Sequence, residues 1–177
     1  MLTLNILRRV EATQAEVVHI YVDASFDRLK YSGLGGMLVD MSGNILLFFS
    51  EEVDADTLDS IMAKGQKTVI QELETMAVLA ALQSWSVFLK QRRTVLFTDS
   101  ESVRGSFLKT WSANKDSDDM VDLIFKVEES FGVPVWIERV PRQSNPADVL
   151  SRETLTEFKG ATRVRVSPRE IWSSLPK

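Results

Sequence analysis

The sequence predicts an α/β fold: a mixed five-stranded sheet, three antiparallel strands and then parallel ones, flanked by helices. Two observations predict it. Three β-type runs come first, close enough together to form an antiparallel meander. Strand-like and helix-like segments then alternate, the pattern of parallel strands joined by crossovers. The order is β-β-β-α-β-α-α-β-α.

VVHIYVDAS (17–25) is β-branched and apolar and ends in small polar residues. GLGGMLVD (33–40) and NILLFFSEE (44–52) flank Met41-Ser42-Gly43, a turn signal that makes them a hairpin. Residues 53–67 have no clear period and read as a connection with room for a short helix. From Val69 to Lys90 strong helix formers carry a broad apolar face. TVLFTDS (94–100) is a short apolar run of the kind buried at a sheet centre. Helical signals return at 101–111 and at 117–131, where Gly132 is a stop. VPVWIERV (133–140) is the last strand, and a helix follows from Asn145. Residues 160–177 alternate as RVRV and then break at Pro168, which leaves them without an assigned element.

The chain has 177 residues, enough for one domain with a proper core. We place that domain at 17–160, between an N-terminal extension (1–16) and a C-terminal tail (161–177). Cysteine is absent, which excludes a disulfide framework, a thiolate nucleophile and a cysteine zinc site. The single histidine, His19, excludes a multi-histidine metal site and argues against a Ser–His–Asp arrangement. No apolar run approaches the ~20 residues that span a membrane. MLTLNILRRVEAT places its charges after its apolar stretch, the wrong order for a signal peptide. An intracellular protein, of cytoplasm or nucleus, is expected. The net charge of −4 counts against a nucleic-acid binder, yet acidic residues crowd into 51–59 and 116–129. The remainder has a mildly basic cast that leaves room for a local basic face.

Four carboxylates stand in suggestive frames. Asp23 lies in the apolar run of the first strand, where a charge is costly unless it meets water, a partner or a cation. Asp99 ends the fourth strand, and ligand sites of open α/β sheets gather at such carboxyl ends. It also suits a cap for the helix that follows. On the first long helix Glu72 and Glu74 compete. They point to nearly opposite sides, Glu74 sharing its stripe with Ala77, Val78 and Ala81. Asp148, in RVPRQSNPADVLSR (139–152), reads first as part of a helix start. Asn145 is a natural N-cap, Pro146 suits the first position, and an Asp in the first turn favours the dipole. Together such acids can converge on one sheet edge. Hard oxygen ligands suit Mg²⁺ or Mn²⁺, and four can hold two ions about 4 Å apart. Without cations they would repel one another.

These frames resemble the ribonuclease H family. TDSESVRGSFLKTW (98–111) is similar to its TDSxxV stretch, and YVDAS to its first-strand Asp followed by a small residue and Ser. ELETMAVLAAL (72–82) matches its helix, in which Glu precedes Ala by three; that frame picks Glu74. RVPRQSNPADVLSR resembles the last strand and helix of retroelement members, where NPAD-xx-SR recurs, and KGQKTVIQELE has the same flavour. The likeness spans about residues 17–158. It implies a ribonuclease H-like fold, with Asp23, Glu74, Asp99 and Asp148 as catalytic ligands of two Mg²⁺ ions that Mn²⁺ can replace. It implies cleavage of the RNA strand of an RNA–DNA hybrid, a reverse transcriptase domain as a partner, and neither an organic cofactor nor a membrane.

It also places Gln71 at a minor-groove contact able to read 2′-hydroxyls. Ser25, Ser100 and Glu101 fall at further nucleic-acid contacts, Glu101 where relatives often carry Gln. Two departures stand out. The loop PRQSN has no histidine where many members carry one, leaving Arg142 to take up phosphate contact. SANKD (112–116) is too short for the basic protrusion of some members, so hybrid affinity would depend on a neighbouring domain. The alternatives are a weak or inactive domain that binds nucleic acid or a polymerase, and another nuclease of the fold such as a junction resolvase.

Overall fold

Strand β1 (Val17–Ser25) shows the period of two that its composition predicts. Val18, Ile20, Val22 and Ala24 are all buried in the main core. It pairs antiparallel with β2 (Gly33–Val39) and parallel with β4 (Arg93–Thr98). Strand β3 (Ile45–Glu52) completes the meander. The turn into β3 is tied by the Asp40 carboxylate, which accepts from the backbone N–H of Ser42 and Asn44 at 2.8 Å each. Gly43 occupies the left-handed region there, at φ +82°. Our computed structural model describes residues 17–63 and 69–176; the extension 1–16, the stretch KGQKT (64–68) and Lys177 lie outside them.

The sheet has six strands in the order β5-β4-β1-β2-β3-β6, not the five expected. Strand β5 (Val135–Arg139) runs parallel to β4 as predicted. The added strand, β6 (Thr162–Arg163), runs parallel to β3 at the opposite edge. Two residues carry no legible period. What fixes β6 is its neighbours: the Arg163 guanidinium donates to the Ser50 carbonyl at 2.8 Å and to Glu51 Oε1 at 3.1 Å. Val164 N–H donates to the Phe48 carbonyl at 2.8 Å.

Helix α1 (Ala55–Met62) starts at Asp54, whose carboxylate accepts from Thr57 N–H at 2.9 Å. Helix α2 (Ile70–Ser84) is buried nearly all round, from Leu73 through Leu82 except at Glu74. It lies between β1 and β2 on one side and α5 on the other. The single helix expected over 69–90 is interrupted at Trp85, which leaves helical geometry (φ −106°, ψ 11°) and buries its indole against Phe49. Helix α3 (Ser86–Leu89) follows it. Ser100 caps α4 (Glu101–Lys109) and Asn114 caps α5 (Lys115–Glu129). Helix α6 (Asp148–Arg152) follows β5, and beyond β6 helix α7 (Pro168–Ser173) packs on α1 and α2. Ile171 and Leu175 join the main core, and Arg169 pairs with Asp54 at 2.9 Å and Asp56 at 2.8 Å. Among the described residues no helix is long and apolar enough to cross a membrane.

Candidate active site

Asp23 sits near the carboxyl end of β1, opposite Gly35 of β2. On its other side the parallel register ends at Tyr21↔Phe97, with Asp23 two residues past it on β1 and Asp99 two residues past it, just beyond the end of β4. Asp23 is 7% exposed. The Ser151 hydroxyl donates to its Oδ2, and Asn145 Nδ2 approaches Oδ1 at 3.5 Å. Burial is the main force on its carboxyl, pushing the pKa up to about 7. The Ser151 bond opposes that rise, while the charges of Asp99, Asp148 and Glu74 add to it. Three of the carboxylates that the sequence singled out therefore act on the fourth, Asp23.

Asp148 reaches the site by a different local route from the one expected. Helix α6 is five residues long and begins at Asp148 itself. Asn145 does not cap it in the ordinary way: its Oδ1 accepts from Ala147 N–H at 3.2 Å, and its Nδ2 donates across to the Val22 carbonyl at 2.9 Å. Asn145 is thereby a tie between this segment and β1. Further ties follow. The Ser25 hydroxyl donates to the Ser151 carbonyl, and the Ser50 hydroxyl to the Leu150 carbonyl at 2.8 Å.

Such closeness needs glycine in β2. A Cβ on Gly35 would lie 2.6 Å from backbone atoms of Leu150 and Ser151. The roles of Ser151, Asn145 and Gly35 were not recognised in the sequence. The signal available was the pair Gly33 and Gly35, alternate residues on one face of a strand beside Asp23, which marks a backbone approaching closely.

Glu74 is half-buried and lies close enough to Ser100 for that hydroxyl to favour its charged form. Burial raises its pKa most, Asp99 adds to the rise, and Ser100 and Arg142 oppose it. Glu72, the competitor, is 2% exposed and accepts from Asn114 Nδ2 at 2.7 Å. It braces the cap of α5, so it faces neither solvent nor the other acids. Asp148 is held by Arg152, whose Nε and Nη2 each lie 2.6 Å from one of its oxygens. That pair pulls the Asp148 pKa below its usual value, with Arg142 helping.

Arg142 is exposed in a short 3₁₀ turn (Arg142–Ser144). With Arg152 it lines two clefts, one of about 520 Å³ that includes Ser25, Lys30 and Tyr31, and one of about 470 Å³ along 143–149. Gln71 Nε2 donates to Ser112 Oγ at 3.2 Å. Glu101 stands between Arg104 and Arg139, 3.6 Å from each. His19 is edge-on to Phe97 at 5.6 Å.

Among the described residues, no group of three or more Asp, Glu or His side chains is arranged as around a metal ion. Two of the acids have close partners instead: Ser151 bonds to Asp23 and Arg152 to Asp148. The donor chemistry nonetheless fits a divalent cation. The set is entirely carboxylate oxygen, and Asp23 is a buried acid under repulsion from three others. Asp23, Glu74, Asp99 and Asp148 are the side chains able to hold such ions.

No family model and no curated protein matches the chain. Solved structures do. Ribonuclease H1 of the halophilic archaeon Halobacterium salinarum superposes with a TM-score of 0.60 at 22% identity, covering 76% of this chain and 93% of that one. The N-terminal ribonuclease H domain of a Mycobacterium tuberculosis protein gives 0.61 at 18% identity, covering 77% and 91%. A foamy viral protease–reverse transcriptase, solved with an RNA/DNA hybrid, gives 0.53 at 19% identity over 77% of this chain and 19% of that one. At these identities the shared property is the fold: this chain has the ribonuclease H fold.

Proposed function

We propose that this protein is a ribonuclease H, a metal-dependent endonuclease that hydrolyses the RNA strand of RNA–DNA hybrids. One observation carries the reading: Asp23 is buried on β1 beside β4 and is bonded by Ser151 of α6, so that Glu74, Asp99 and Asp148 lie close enough to repel its charge. Asp23, Glu74, Asp99 and Asp148 would hold two Mg²⁺ ions, with Mn²⁺ as a substitute. Bound there, the ions would supply an activated water and stabilise the leaving oxygen of a phosphodiester.

The chain's own residues do the rest. Ser151 and Asn145 hold Asp23 in place, and Ser100 favours the charged form of Glu74. Arg142, exposed beside Glu74 and Asp148, contacts phosphate. Ser25, Gln71, Ser100 and Glu101 contribute to the hybrid surface, where bonds to 2′-hydroxyls distinguish RNA from DNA. The foamy viral neighbour, a protein solved with a hybrid, supports this substrate. Together with NPAD-xx-SR it also supports a retroelement origin and a reverse transcriptase partner.

The test is cleavage of a labelled hybrid with Mg²⁺ or Mn²⁺, comparing wild type with Asp148→Asn. We expect wild type alone to cut the RNA strand, leaving 3′-hydroxyl and 5′-phosphate ends and sparing duplex DNA. Equal cutting by both would remove Asp148 from the site. A second reading, a domain that binds hybrids without cutting, is favoured by the loop 141–145, which holds no histidine, and by the Asp148–Arg152 pair. Hybrid binding without cleavage under either metal would establish it.

A further inference from the structure

Arg152 lines both clefts and engages both oxygens of Asp148. A guanidinium is always charged, and its planar fork matches a carboxylate. With the guanidinium bound to each oxygen, Asp148 meets a cation as a carboxylate already shared with a positive charge. The spacing of four on a short helix makes the contact local to α6, formed without help from any other element. The charges of Asp23 and Asp99 add to the attraction on this guanidinium.

We propose that Arg152 is a built-in counter-cation that stands in for the metal in the ion-free site and sets the metal concentration at which the site loads. This rests on the metal-binding reading above. The logic is a reversal of sign. Without metal, one positive charge among four carboxylates relieves their repulsion and steadies the fold. With divalent ions present, the same charge becomes a like charge beside them and a competitor for Asp148. Release is feasible because the pair is open to solvent, the Arg152 side chain being 52% exposed and that of Asp148 34%. Breaking an exposed pair of this kind costs no more than about a fivefold factor in an equilibrium constant. The freed guanidinium has the cleft it lines with Lys30 and Arg142 to occupy.

The experiment is calorimetric titration of the protein with Mg²⁺ and Mn²⁺, without nucleic acid, for wild type, Arg152→Gln, Arg152→Lys and Asp148→Asn. Melting temperatures are recorded with and without metal. Arg152→Gln should bind metal roughly three- to tenfold more tightly. Its metal-free form should melt lower than wild type, and its gain on adding Mg²⁺ should be larger. Arg152→Lys keeps the charge and loses the fork, so its affinity should fall between the two, and Asp148→Asn should bind weakly. Unchanged affinity in Arg152→Gln would overturn the proposal, reducing the pair to a surface contact. Weaker affinity would also overturn it, because Arg152 would then be preparing Asp148 for metal. If wild type and Arg152→Gln both bind no metal, the metal-site reading fails and this inference falls with it.

Discussion

The Ser151 hydroxyl on α6 donates to the carboxylate of Asp23 on β1, joining residues 128 positions apart. The carbonyl of the same residue accepts from Ser25, so one serine clamps the last helix of the site to the first strand twice. Ser151 is fully buried. Ser151→Ala should therefore lower stability by about 1–3 kcal/mol, the cost of leaving a buried acceptor unmade. It should also weaken Mg²⁺ binding. Urea unfolding and metal titration check the two effects, and an unchanged midpoint would refute the clamp.

Asp23 gives the metal-free protein a pH dependence of definite sign. Its pKa is about 7 in the fold against the ordinary aspartate value of 3.8, so between those values the folded chain retains a proton that the unfolded chain has lost. The stability this confers is complete below pH 4 and disappears as pH rises through 7, a loss of up to about 4 kcal/mol. The raised pKa of Glu74 acts in the same direction. In EDTA, Asp23→Asn should match wild type near pH 4 and exceed it by a growing margin towards pH 7. A margin that stays flat over that range would contradict the assignment.

Glu72 and Glu74 should separate by phenotype although they are neighbours on α2. Glu74→Gln is expected to abolish cleavage while stability holds or rises, since a buried, repelled charge is removed. Glu72→Ala strands the Asn114 amide, and about 1–3 kcal/mol of stability should go with it. Metal affinity should stay near wild type in the folded Glu72 variant. Cleavage assays paired with thermal melts decide.

Gly35→Ala places a methyl group 2.6 Å from the backbone of Leu150 and Ser151. Either α6 moves away from the sheet or the strand shifts. Both disturb the alignment of Asp148 with Asp23, so loss of metal binding should exceed the loss of stability. Exchange of the Ser151 amide, followed by NMR, should speed up in the variant.

Removing residues 161–177 should destabilise the domain by more than about 2 kcal/mol, on the order of one buried aliphatic side chain or more. Ile171 and Leu175 leave the core, and Glu51 loses Arg163 in a setting where both are about nine-tenths covered. Chemical denaturation of the shortened chain measures it.

Much of this architecture was legible in the residues. β1 ends where the composition ends it, Asp23, Glu74 and Asp148 lie in the elements assigned to them, and Asp99 falls one residue beyond its strand. Strands and long helices advertise themselves by period, over enough residues to be read. Shorter pieces do not. β6 is two residues held by Arg163, and α6 is five residues held by hydroxyls on distant strands. Ser50, Ser25 and Ser151 look like ordinary small polar residues until the chain brings them together. Glu72 looked as available as Glu74, and only the partner 42 positions away reveals its structural use.

Strand β5 has a neighbour on one side only among the described residues. Its outer backbone groups would template another extended chain, the usual hazard of a bare sheet margin. The sequence brackets it with Pro134 and Pro141, neither of which can donate a backbone hydrogen bond, and keeps it to five residues. Glu138 and Arg139 add charges of both signs. An intruding strand would find a short stretch with no way to extend in either direction. The protein thus guards against self-association at the margin that β6 does not cover.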